Sequence, residues 1–162
     1  MHTKYRRVVT GMGNKGKSRI LFDDGNGFES SGGATSVALL WQSKTAPAEN
    51  TSMADAAREK FTLHLDPGAT KCIMVDVAPT EGLMPPGMHA TNTLDYVVIL
   101  SGALSLYLDE EEVEVGTGDV VVNRGNIHAW RNKGPDHARM LVVNVDAAPV
   151  GEGGTFYGIE IE

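Results

Sequence analysis

Apolar and polar residues alternate along much of this chain with a period of two. That spacing puts successive side chains on opposite faces of a strand. Ala103-Leu104-Ser105-Leu106-Tyr107-Leu108 is the clearest case, and Val113 and Val115 then alternate with Glu112 and Glu114. Other apolar runs read as further strands: Arg19 to Phe22, Ser36 to Trp41, Lys71 to Val77, Thr93 to Leu100, Asp119 to Asn123, His128 to Arg131 and Ala138 to Val145. Turn signals separate them, among them Asp23-Asp24-Gly25-Asn26-Gly27, Thr45-Ala46-Pro47, Ser101-Gly102 and Asp109-Glu110. Met53 to Lys60 alone has helical composition, with Ser52 as its N-cap, and predicts one short surface helix.

Short strands at regular spacing, without crossover helices between them, predict an all-β sandwich or barrel rather than a parallel sheet. The strands are densest from Lys71 onward. Residues 1–65 read as an N-terminal β extension that packs on its own barrel or swaps between barrels. Residues 66–150 form the barrel, and 151–162 are a C-terminal tail. Ser36 to Trp41 is an apolar strand in search of a partner sheet, so a homodimer is expected.

A chain of 162 residues is long enough to bury one core. Its 21 acidic against 14 basic residues give a net charge of −7, which argues against nucleic acid or an anionic membrane as partner. No run approaches the ~20 apolar residues of a membrane span, and the basic N-terminus lacks the apolar stretch of a secretory signal. Cys72 is the single cysteine, which excludes an internal disulfide and fits the reducing cytoplasm.

Gly11-Met12-Gly13-Asn14-Lys15-Gly16-Lys17-Ser18 matches a phosphate-binding loop as a string. That mechanism needs a helix to begin at the second glycine, with its amides facing the anion. The next residues, Arg19-Ile20-Leu21-Phe22, have the pattern of a strand, so the segment reads as a Gly-rich loop.

The chemistry-bearing residues lie in two halves, each a strand with a histidine punctuated by glycines. Gly87-Met88-His89-Ala90-Thr91-Asn92-Thr93-Leu94-Asp95 leads to Gly102, and Gly118-Asp119 leads through Asn123, Gly125 and His128 to Trp130 and Asn132. Two imidazoles and a carboxylate form a set able to hold a divalent ion with positions open for substrate. Trp130 lies two residues beyond His128, hence on the same strand face, and suits an aromatic or planar substrate. Tyr96, next to Asp95, must face the other way. His64 and His137 sit in turn contexts and read as solvated.

The paired spacing resembles the two motifs of the cupin superfamily, G-x5-H-x-H-x3,4-E-x6-G and G-x5-P-x-G-x2-H-x3-N. Counting back from Gly102 puts Asp95 at the glutamate, Thr91 at the second histidine and His89 at the first. In the second half Gly125, His128 and Asn132 fall in register, while Asn123 stands at the proline. The resemblance covers roughly residues 70 to 145 and implies a double-stranded β-helix, the jelly-roll barrel. It also implies a divalent metal (Fe, Mn, Zn or Ni) at His89, Asp95 and His128, with Thr91 and Trp130 in the substrate pocket.

The function expected from this is that of a small metal-dependent enzyme acting on an oxygenated organic acid or an aromatic, polyketide-like metabolite. Decarboxylation, isomerisation, dehydration and cyclisation are the reaction classes within reach of a Lewis-acid ion. A metal-dependent dioxygenase uses the same residues. A non-catalytic module that binds a small ligand in the barrel is the reading from another class.

Overall fold

The structure, a computed structural model, describes residues 5–25, 29–32, 34–80 and 87–150. The Asn26-Gly27 part of the first expected turn and the tail over 151–162 lie outside the described residues. The described chain is all-β. Its strands are β1 (Arg7–Met12), β2 (Ser18–Asp24), β3 (Glu29–Gly32), β4 (Thr35–Ser43), β5 (Thr70–Val77) and β6 (Thr93–Ser101). They continue with β7 (Ala103–Tyr107), β8 (Glu112–Gly116), β9 (Val120–Asn123), β10 (Ala129–Arg131) and β11 (Ala138–Asp146).

A six-stranded sheet in the order β3-β4-β5-β11-β6-β9 faces a three-stranded sheet in the order β10-β7-β8, and every pairing is antiparallel. Together they make a jelly-roll barrel. The period-two pattern dictates which side chains fill it. Along β6, Val97 and Ile99 turn inward and are almost fully buried, whereas Tyr96 and Leu100 turn outward. Val75 on β5, Met140 and Val142 on β11, and Leu104 on β7 meet Val97 and Ile99 in one apolar core. Each such aliphatic side chain stabilises the fold by about 1.5–3 kcal/mol through burial alone. Gly102 turns β6 into β7 at φ 75°, and a Cβ there would stand 3.0 Å from Ala138. Only glycine meets both demands.

Ser36 to Trp41 pairs within its own chain: β4 lies against β5, with a register shift between Leu39 and Trp41. The extension therefore supplies a strand of the main sheet. β1 and β2 form a separate hairpin. The Gly-rich loop between them closes through Gly13 N–H to the Lys17 carbonyl (2.8 Å) and Gly16 N–H to the Gly13 carbonyl (3.0 Å). With β2 following directly, no helix N-terminus exists there to hold a phosphate.

The short helix expected over Met53 to Lys60 does not form; that segment consists of bends and turns. Arg7 is the reason. Its guanidinium makes two hydrogen bonds of 2.8 Å to the Asp55 carboxylate, two of 2.9 Å to Asp24 and one of 3.1 Å to the Leu40 carbonyl. Asp55, drawn inward to 5% side-chain exposure, then accepts the Ala57 N–H at 3.0 Å. Ala57 enters the core. Upstream, the Glu49 carboxylate takes the Thr51 and Ser52 N–H groups, and Ser52 Oγ takes that of Ala54. These local side-chain bonds to backbone compete with a helix and win.

Arg7 holds the Asp55 carboxyl below the ordinary carboxylate range through these hydrogen bonds. The pair therefore contributes fully above the unfolded value near pH 4, and its contribution is lost as pH falls through the lower folded value. Asp55→Ala should lower the unfolding free energy at pH 7 by about 3 kcal/mol, because it leaves Arg7 buried and half-paired. Urea melts between pH 7 and pH 2 should show this deficit shrinking with acid. A deficit that stays constant with pH would contradict the assignment.

Candidate active site

The two motif halves meet through the main chain. His89 N–H donates to the His128 carbonyl at 2.9 Å and His128 N–H donates back at 2.9 Å, an isolated antiparallel bridge outside both sheets. Directly opposed residues send their side chains to the same face. The two imidazoles accordingly lie with ring centroids 4.5 Å apart, tilted by 49°. Gly125 makes the approach possible. It has φ 75°, and a Cβ on it would stand 3.2 Å from the Thr91 carbonyl oxygen and 3.4 Å from that of Thr93.

Each ring is anchored at Nδ1. His128 Nδ1 lies 3.0 Å from the Asn126 carbonyl, and His89 Nδ1 lies 3.1 Å from the Gly87 carbonyl. A carbonyl only accepts, so each Nδ1 carries the proton and each Nε2 presents a lone pair. Burial pushes the His128 pKa down and neighbouring His89 adds to this, against opposing effects of the Asn126 carbonyl and Asp95. His128 is therefore a neutral imidazole at pH 7.

Asp95 projects from β6 into the same interior, 5% exposed. It sits between Asn144 of β11 and Asn123 of β9 in the register of the sheet. The Asn144 amide donates to one carboxylate oxygen at 2.7 Å and the Asn123 amide donates to the other at 3.2 Å. The Asn123 nitrogen also lies 3.1 Å and 3.3 Å from Nδ1 and Nε2 of His128. Such similar distances to both ring nitrogens place the amide against the face of the His128 ring. Thr91, buried, bonds Thr93 through their hydroxyls at 2.6 Å.

The structure thus brings His89 and His128 together and turns Asp95 toward two amides. Among the described residues, no group of three or more His, Cys, Asp or Glu side chains is placed to hold a metal ion. As arranged, these residues do not fit the three-ligand centre that the motif spacing implies. Trp130 stands edge-on to His128, centroids 6.4 Å apart, and packs against the core. Asn132, 1% exposed, is a structural residue: its amide donates to the Val77 and Asp136 carbonyls and its carbonyl accepts the Gly134 N–H.

A cavity of about 490 Å³ opens from this polar cluster into the barrel. His89, Thr91, Asp95, His128, Trp130 and Asn144 line its polar side, and Val37, Ile73, Val97, Met140 and Val142 its apolar side. Phe61 and Leu63 close it from the segment after β4. That segment is held by Lys71, whose ammonium donates to the Thr62 and His64 carbonyls and to the Thr62 hydroxyl. A larger, open groove of about 1030 Å³ runs between the β1–β2 hairpin and β4 and contains neither motif histidine. His64 and His137 lie on the surface.

Sequence reasoning missed Asn123, Asn144, Phe61 and Leu63 as site residues. Asn144 had a signal: it occupies an inward position of β11 after Met140 and Val142, where alternation calls for another apolar side chain.

The cupin domain family model matches residues 73–144. Phomopsin biosynthesis cluster protein C' of Diaporthe leptostromiformis is 33% identical over 135 residues, covering 78% of this chain and 69% of that protein. A cupin-domain-containing oxidoreductase of Neurospora crassa is 28% identical over 151 residues, covering 89% and 74%. The cupin domain of Schizosaccharomyces pombe Cnp3 has the same fold, with a TM-score of 0.55 at 10% identity over 89% of each chain. With the barrel and both motif halves in place, the chain belongs to the cupin family.

Proposed function

We propose that this cupin is an enzyme that acts on an oxygenated organic acid or an aromatic, polyketide-like metabolite held inside the barrel. One observation carries the reading: two anchored imidazoles at the polar end of a 490 Å³ cavity that is otherwise largely apolar. A cavity of that size suits a compound of drug-like dimensions. Trp130 and Phe61 offer flat apolar surface to a ring, and the polar end meets its oxygens. His89 Nε2 presents an open lone pair, and it suits removal of a proton from carbon or oxygen beside a carbonyl. Proton transfer of this kind underlies isomerisation, dehydration and cyclisation, and the reverse transfer, of a proton to an enolate, completes a β-keto acid decarboxylation. The relative named for a biosynthesis cluster supports a metabolite as substrate, and the relative named an oxidoreductase keeps an oxygen-dependent branch in view. Among the described residues no helix is long and apolar enough to cross a membrane. A single cysteine, Cys72, with no second one to form an internal disulfide, supports the cytoplasm as the setting.

The same reading takes the protein to be a homodimer joined across the outer face of the six-stranded sheet. Trp41, Cys72, Val143, Tyr96 and Val122 form one row across that face, and Ala38, Met74, Leu141, Val98 and Val120 a second. Tyr96, Leu100, Val120 and Val122 are 42–62% exposed. Five strands about 4.8 Å apart and about 20 Å long present roughly 500 Å² of sheet. A stable interface needs about 800 Å² per partner. The adjacent hairpin, with Val8, Met12 and Ile20 exposed, supplies the remainder from a second copy. Neither row contains a charged residue, so pairing these rows buries no like charges.

Two experiments test these readings. Incubation with a panel of β-keto acids and phenolic acids, with and without oxygen, should yield turnover that falls at least about 10²-fold in folded His89→Ala. Stoichiometric binding without turnover would select a binding module instead, and coupled oxygen uptake a dioxygenase. Light scattering at micromolar concentration should give twice the chain mass, and Tyr96→Asp or Val122→Asp should give the monomer with its barrel intact. A monomeric wild type would remove the interface.

A further inference from the structure

At the polar end of the cavity the rings and the carboxylate accept hydrogen bonds, and their donors are already committed. His89 and His128 each spend the Nδ1 proton on a backbone carbonyl and keep a lone pair on Nε2. The Asp95 carboxylate has about four lone-pair positions and receives one amide proton on each oxygen, so about half of them stay open. We infer that Asp95 selects the ligand by accepting the proton of a ring hydroxyl, so that the cavity fits a phenol, an enol or an adjacent diol and turns away a carboxylate at this end. The inference rests on the barrel cavity being the reactive site.

Three features carry it. First, the Asp95 carboxylate is held by neutral amides, and among the described residues no Lys, Arg or His forms an ion pair with it. A second carboxylate beside it meets repulsion in a low-dielectric interior. A hydroxyl instead gives a charge-assisted bond, roughly twice as strong as a neutral one. Second, no guanidinium turns in to offset this. Arg131 borders the cavity, but it follows Trp130, which packs on the core, along β10. Alternation sends its side chain to the opposite face of that sheet, beside Ser105. Third, hydroxyl donors on the wall are engaged: Thr80 donates to the Asn132 carbonyl at 2.9 Å, and Thr91 and Thr93 bond each other at 2.6 Å. The flanking amides hold Asp95 in place before a ligand arrives, so little ordering is left for binding to do. A ring lying along Trp130 and Phe61 then gives one hydroxyl to Asp95 and leaves His89 Nε2 free to accept a second.

Calorimetric titration of chelator-treated wild type at pH 7 with probes built on one ring system tests this without turnover. Naphthalene-2,3-diol offers hydroxyl protons, 2,3-dimethoxynaphthalene keeps the oxygens but lacks those protons, and 2-naphthoate carries a carboxylate. The diol should bind at least about tenfold tighter than either of the others, the gain expected of a hydrogen bond to a charged group. Folded Asp95→Asn should lose that preference with the ether little changed, and 2-naphthoate should gain, because an amide N–H then replaces a negative oxygen. An ether or a carboxylate that binds wild type as tightly as the diol would overturn the inference, and this ranking decides even if Asp95→Asn fails to fold. A folded Asp95→Asn that keeps the diol preference would also overturn it. So would a preference that appears only when Zn²⁺ is added, since the hydroxyls would then address an ion. If none of these rings binds, the cavity reading falls and takes the inference with it; rings that bind without a hydroxyl preference remove the inference alone.

Discussion

The paired backbone hydrogen bonds between His89 and His128 are the constraint on which the site depends. They lie outside both sheets, so they do not add to a ladder; they join the chain entering β6 to the chain entering β10. Facing residues of an antiparallel bridge share a side. Two histidines nearly forty positions apart are thereby delivered as adjacent rings by main-chain geometry. Nothing in the side chains has to attract for this to happen. Gly125 permits the approach by having no Cβ to meet the Thr91 carbonyl.

Around that bridge the barrel solves an electrostatic problem. A carboxylate, two imidazoles, an asparagine, an arginine and three threonines line, among the described residues, a cavity whose other walls are apolar and include Phe61 and Trp130. Burial of a bare carboxylate is prohibitive, and each unpaired polar atom carries a penalty of about 1–3 kcal/mol. Asp95 is therefore met by amides on both sides, from the strands that flank β6 in the sheet. The same amide of Asn123 lies against the face of the His128 ring, so the strand that holds Asp95 also packs on the imidazole. Lys71 meets the same requirement farther along β5, where the Thr62 and His64 carbonyls receive its ammonium and hold the Phe61–Leu63 wall in place.

Much of this was legible in the sequence for physical reasons. Period-two alternation gives strands and their inward faces, which is why β6 and β7 stand close to where the pattern puts them and why Tyr96 faces out. The motif glycines are legible because positive φ and close approach leave no alternative residue. The segment over Met53 to Lys60 was misread because helical composition is a local preference. The Arg7–Asp55 pair spans 48 positions and cannot be seen locally. Asn123 was passed over because an asparagine on a strand has no intrinsic signature, and Asn144 because its one signal was a polar residue at an inward position. Their meaning comes from being register neighbours of Asp95 on two different strands, which requires the sheet order β11-β6-β9. The gathering of His89 and His128 was readable; the amides that hold Asp95 were not.

The site depends on His128 being a neutral imidazole with its proton on Nδ1, held by the Asn126 carbonyl, and a lone pair on Nε2. Nitrogen-15 NMR of the histidine rings at pH 7 measures this directly, because protonated and unprotonated ring nitrogens resonate far apart. The structure predicts a pyrrole-type Nδ1 and a pyridine-type Nε2 for His128. A His128 protonated at Nε2, or at both nitrogens, would contradict the hydrogen-bond arrangement on which the site is built.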